Sequence, residues 1–149
     1  VVTIAGLRLA GLGGIFRGQV WMPPEASRVE SATDYLAKCG KGNYWRGGLP
    51  RRHRSTIFPQ TYNALLRQHA DVLVSHEAPA CHPHGFEAID TLIAAMGVQR
   101  AFHGHHHQST AYPNTGPYRI FGLGACAVAT IEGEFLPSVL TCPDPDEGG

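Results

Sequence analysis

No stretch of this 149-residue chain approaches the roughly 20 consecutive apolar residues that a membrane-spanning helix requires. The N-terminus has no charged segment followed by an apolar run and a small-residue cleavage site, so a cytoplasmic protein without a membrane partner is expected. Net charge is also missing. Lysine plus arginine number 12 and aspartate plus glutamate 12, which leaves no global attraction to nucleic acid or anionic lipid. The four cysteines, Cys39, Cys81, Cys126 and Cys142, form no CxxC pair. Reduced, buried thiols are expected rather than a disulfide framework. Neither a phosphate-binding GxxxxGK(S/T) loop nor a GxSxG elbow occurs. Ser75 and His76 are adjacent and cannot form a nucleophile–base pair in the usual geometry.

What is present suits a folded domain. Hydrophobic residues make up 43% and charged residues 16%, which excludes a disordered chain. The pattern predicts strands at 1–5 and 7–12, separated by Gly6, and a short helix over 31–38 that Ser31 can cap. An irregular arginine-bearing loop at 40–58 leads to a helix over 59–69 that begins on a proline. A wholly apolar strand, Val72–Val74, runs into Ser75–His76. Phe86, Ile89, Leu92, Ile93 and Met96 recur at helical spacing, with Gly97 placed to end the helix. A strand at 98–103 and a β-rich tail follow, with strands at 108–112, 118–123, 125–132 and 134–140 and a turn at 113–117. The fold class expected is α/β, with residues 1–140 as one domain and 141–149 as a frayed acidic tail.

Histidine is the residue in excess. Seven of the nine lie from His76 to His107. Two strand ends carry them, DVLVSHEAP and RAFHGHHHQ, and in open α/β sheets sites gather at the carboxyl ends of strands. The intervening helix makes the two strands expected neighbours, plausibly parallel. If the second segment stays extended, His105 and His107 point to one side and His106 to the other, and Gly104 allows close approach or a positive φ. A lone strand-end histidine is usually a hydrogen-bonded surface residue. Two such ends side by side favour a partial metal site of His76, His105 and His107, for a divalent ion such as manganese, iron, zinc or nickel. His103 is expected to complete its strand. Cys81, His82 and His84 could bind an adventitious zinc, line a substrate entrance or simply form a loop. Arg46, Arg51 and their neighbours could meet a phosphate or form a solvated loop.

Ser75-His76-Glu77-Ala78-Pro79 and Gly104-His105-His106-His107 resemble the fourth and fifth motifs of the calcineurin-like metallophosphoesterases. VTIAGLRLAGLGG is similar to the strands after that family's third motif. The resemblance covers about residues 1–135. It implies part of an αββα sandwich, two divalent metals, a phosphomonoester or phosphodiester substrate, and metal ligation by His76 and His105 on one ion and His107 on the other. Arg46, Arg51 and His82 would meet the substrate. The family's Asp-x-His, GDxxD and GNH motifs are absent from this chain. The chain therefore reads as the histidine-bearing C-terminal half of such an enzyme. A non-catalytic remnant that binds a metal or a protein is the alternative, and a histidine-rich module without this ancestry ranks third. Half a sandwich would expose a sheet, so self-association is expected.

Overall fold

The computed structural model describes residues 1–114 and 116–137. The acidic tail, the end of the last expected strand and one residue of the 113–117 turn lie outside them. The chain forms a mixed six-stranded sheet with helices, a mixed α/β architecture. Its strands are β1 (Val2–Ile4), β2 (Leu7–Leu12), β3 (Val72–Ser75), β4 (Arg100–His103), β5 (Thr110–Ala111) and β6 (Arg119–Gly122), in the order β1-β2-β3-β4-β6-β5. Strands β2, β3, β4 and β6 are parallel, and β1 and β5 are antiparallel at the two edges. A small hairpin, β7 (Val128–Ala129) and β8 (Phe135–Leu136), stands apart from the sheet.

Three helices occupy the connections: α1 (Ala32–Lys38), α2 (Pro59–Leu65) and α3 (Glu87–Met96). Ser31 caps α1, its hydroxyl accepting from the Asp34 N–H at 3.0 Å. α3 forms because Ile89, Leu92, Ile93 and Met96 share one face, and all four are fully buried. Each contributes about 1.5–3 kcal/mol of transfer free energy. Gly97 ends the helix at φ +69°, its N–H reaching the carbonyls of Ile93 and Ala94. α2 stops at Leu65, four residues before the expected end. Its apolar stripe runs out there, and Gln68 turns its backbone N–H back to the Leu65 carbonyl at 2.9 Å.

The two faces of the sheet differ. On the first, Ala10, Leu12, Leu73, Ala101 and Ile120 pack with Tyr62, Leu65 and the buried face of α3 in the main core. On the second, Val72, Phe102 and Phe121 pack beneath Ala129 and Ile131. Strand register places Val2, Leu9 and Val72 on that same second face, and Gly11 beside Val74. Val72 is fully buried there and Leu9 packs against its cluster, but among the described residues Val74, in a central strand, is left 47% exposed and Val2 58%.

The cysteines depart from expectation. Cys39 is half-buried and Cys81 exposed, both free, whereas Cys126 is disulfide-bonded. No helix among the described residues is long and apolar enough to cross a membrane.

Candidate functional site

β3 and β4 lie side by side and parallel, with Ser75 opposite His103. The segments leaving their carboxyl ends are stitched together. The His76 N–H donates to the Leu12 carbonyl at 3.2 Å, and the Gly104 N–H to the Ser75 carbonyl at 3.2 Å. This brings the His76 and His105 rings to 4.6 Å between centroids. Partial desolvation holds the His76 pKa below its ordinary value, with His105 adding to the effect, Glu77 opposing it and His107 reinforcing it. His107 is therefore within electrostatic range of His76. The three do not form a ready-made set of ligands: among the described residues no three His, Cys, Asp or Glu side chains are grouped so as to hold a metal ion.

The extended geometry expected for 104–107 is not what forms. The His106 N–H bonds back to the Gly104 carbonyl at 3.0 Å, closing a three-residue turn around His105, whose φ is +74°. His107 follows at φ +54°. The left-handed positions thus fall on histidines and not on Gly104. Nor does close approach demand the glycine, since a Cβ there would stand in ordinary contact, 3.9 Å from His76 Nδ1. Left-handed backbone at non-glycine residues costs roughly 1–3 kcal/mol each and collects at functional sites.

Glu77 is the residue that sequence reasoning under-weighted, because it needed an inward turn to reach its neighbours. That turn occurs. Glu77 is 5% exposed. Its Oε1 accepts from the Phe16 N–H at 2.9 Å, and its Oε2 stands 3.6 Å from His105 Nδ1. Ser75 Oγ donates to the Glu77 carbonyl at 2.8 Å and fixes the turn. Asp71, at the far end of β3, is occupied with the Arg8 backbone and side chain.

His106 was expected to point away from the cluster. It instead stacks on His82, with centroids 3.6 Å apart and planes 19° apart. His84 and His103 lie within 6.3 Å of it. Burial, followed by the charges of these neighbours and His105, pushes the His106 pKa down to about 4. His82 is also lowered, by desolvation and then by His84 and His105. His103 is buried as expected. Its Nδ1 lies 3.0 Å from the Gly104 carbonyl and must donate, so its Nε2 accepts from the Tyr112 hydroxyl at 3.1 Å. The loop from Ala78 to Phe86 that carries His82 and His84 is closed at its base by the Phe86 N–H to the Ala78 carbonyl, 2.9 Å.

Arg46 and Arg54 both lie against the Trp45 ring, at 4.5 and 4.7 Å, and Arg51 opens a 3-10 turn, Arg51–Ser55. Among the described residues, no hydrogen bond, ion pair or ring contact ties Arg46 or Arg51 to the histidines.

No family model matches the chain. A protein of Haemophilus influenzae (strain KW20 Rd), whose own name says only that it is uncharacterized, is 47% identical over 136 residues. Those residues are 91% of this chain and 60% of the relative, so the chain spans about three-fifths of the length of the protein it matches.

Proposed function

We propose that the chain is the histidine-bearing part of a metal-dependent phosphoesterase of the calcineurin-like type, acting on a phosphomonoester or phosphodiester. The observation that carries this reading is the meeting of His76 and His105 at adjacent parallel strand ends, 4.6 Å apart, with a buried carboxylate behind them. The donor chemistry suits a divalent metal. A depressed pKa keeps the His76 imidazole neutral, the form that can ligate. Glu77, facing His105 Nδ1, favours a proton on that nitrogen and leaves Nε2 as the donor, the usual role of a carboxylate behind a metal-bound histidine. His76, His105 and His107 would hold metal, and the bound ions would supply a hydroxide of lowered pKa and neutralise phosphate charge. His82, stacked on His106, stands where it could donate to a phosphate oxygen. The bridging carboxylates would come from residues outside this chain, in keeping with the greater length of the relative. The uncovered half of the second sheet face supports an αββα sandwich with a further layer laid over Val2, Leu9 and Val74.

The second reading, a metal- or protein-binding remnant without catalysis, draws on one observation: no third metal donor is assembled among the described residues. Metal content after dialysis and hydrolysis of bis(p-nitrophenyl) phosphate with manganese separate the two. This chain and the full-length Haemophilus relative would be measured side by side. The phosphoesterase reading expects turnover by the longer protein that falls at least about 100-fold when the histidine matching His105 becomes alanine, and little turnover by this chain. Metal retention without hydrolysis in either would favour the remnant. Activity indifferent to that histidine would sink the proposal.

A further inference from the structure

A concavity opens between the segments that follow β2 and β3, its wall running from Gly85, next to His84 in the chain, into the first turns of α3. It is a cleft of about 450 Å³ walled by Trp21, Pro23, Pro24, Tyr62, Phe86 and Thr91, a size in the range of small-molecule sites. Three of its side-chain polar groups already have partners. Trp21 Nε1 donates to the Glu25 carbonyl at 3.0 Å, the Tyr62 hydroxyl to the Ala88 carbonyl at 2.7 Å, and Thr91 Oγ1 to the Glu87 carbonyl at 3.0 Å. What remains for a ligand is aromatic surface. Glu87 sits on the rim and would repel an anion.

The cleft is joined to the histidine-bearing segments through Phe16 and Phe86. The Phe16 ring packs edge-on against Trp21 at 5.2 Å and tilted against Phe86 at 4.8 Å, while the Phe16 N–H donates to Glu77 Oε1. Phe86 also ends the loop that bears His82 and His84. That loop is held tightly, since a Cβ on Gly85 would fall 1.7 Å from the Pro79 carbonyl oxygen. Ring site and histidines are therefore held in fixed relation.

We propose that this cleft receives the aromatic ring of the substrate's leaving group, so that the phosphate esters taken by this site are aryl esters or esters carrying a comparable flat ring. The proposal rests on the phosphoesterase reading above. The ring enters the apolar walls, and the acidic rim turns the phosphate away from the cleft and toward the histidines.

The test is binding to this chain, followed by NMR through the indole N–H signals of its two tryptophans. The probes are phenol, phenyl phosphate and n-butyl phosphate. Phenol and phenyl phosphate should shift the Trp21 signal and leave Trp45 unmoved, with phenyl phosphate binding at least about tenfold more tightly than the butyl ester. Thr91→Trp, an exposed helix position, should fill the cleft and abolish both effects, while Thr91→Ala should leave them intact. An unmoved Trp21, or equal binding of phenyl and butyl phosphates, overturns the proposal. Metal retention is measured on the same samples. Metal held by His76 and His105 with no phenol effect removes the ring site alone. A phenol effect in this chain, together with a full-length Haemophilus relative that holds no metal and hydrolyses no phosphate ester, removes the leaving-group role and with it the phosphoesterase reading.

Discussion

Glu77 is a single side chain with two oxygens in two different jobs, and the jobs can be separated by substitution. Glu77→Gln keeps an acceptor for the Phe16 N–H but removes the charge facing His105. On the proposed reading it should lower metal affinity about 10- to 100-fold with little change in melting temperature, as calorimetric titration with manganese or zinc would show. Glu77→Ala should cost a further ~1–3 kcal/mol of stability, because a buried N–H then lacks a partner. His53 permits a pH prediction away from the site. It is fully buried and accepts from Arg52 Nε at Nε2, so its Nδ1–H donates to Thr56 Oγ1. Burial, then Arg52 and Arg17, lowers its pKa. In acid the unfolded chain therefore binds a proton that the folded one resists. The stabilising contribution is full above about pH 6.5 and drains away as pH falls below it. The melting temperature, followed in chelator from pH 7.5 to 5, should fall, and His53→Asn should flatten part of that slope while lowering the whole curve. A slope unchanged by the substitution would show that His53 does not titrate in this window.

At the level of elements, two glycines do different work, and alanine tells them apart. Gly97 needs its left-handed φ of +69° but has open space, its nearest neighbour being His69 Nδ1 at 3.9 Å from a built Cβ. Gly97→Ala should cost about 1 kcal/mol. Gly85 has no room at all, and Gly85→Ala must displace the Pro79 backbone and break the histidine loop. Urea denaturation of the pair should show the second loss clearly larger than the first. These two positions also mark what the sequence disclosed. α3 and its stop at Gly97 were legible because a four-residue apolar stripe and a glycine act locally and agree. The parallel pairing of β3 with β4 followed from the helix between them. The turn at 104–107 was not legible, because histidine has no strong preference for left-handed backbone and the adjacent glycine pointed to the wrong residue. The inward turn of Glu77 was hidden for a similar reason. It is fixed by the Ser75 hydroxyl and by Phe16, a residue 61 positions away. For the arginines at 46 and 51 charge alone left a phosphate contact and a solvated loop both open, and only the fold shows that Arg46 lies over Trp45.

Across the whole molecule the sheet is finished on one side and unfinished on the other. The helix-bearing face is sealed by the main core, whereas among the described residues the second face is sealed around Val72, Phe102 and Phe121, with Ala129 and Ile131 packed over them. Beyond the hairpin, register lines up Val2, Leu9 and the buried Val72 across three adjacent strands, while the exposed Val74 stands opposite Gly11, which adds no side chain beside it. Val74, 47% exposed in the middle of a sheet, and Val2, 58% exposed at its edge, leave apolar surface that contact with a partner would stabilise. Among the described residues nothing shields Val74, and a second copy of the chain offers a matching apolar face, so self-association is expected. Val74→Lys should suppress it in sedimentation velocity while changing the stability of the monomer by no more than about 0.5 kcal/mol. In the longer relative the proposed further layer occupies the same face. The matching substitution there buries a charge and should cost at least about 3 kcal/mol. It should also reduce the metal-dependent activity, because the carboxylates would be carried by the displaced layer. A lysine harmless in both proteins, with no change in association, would mean that this face is left bare and that the sandwich is not completed there.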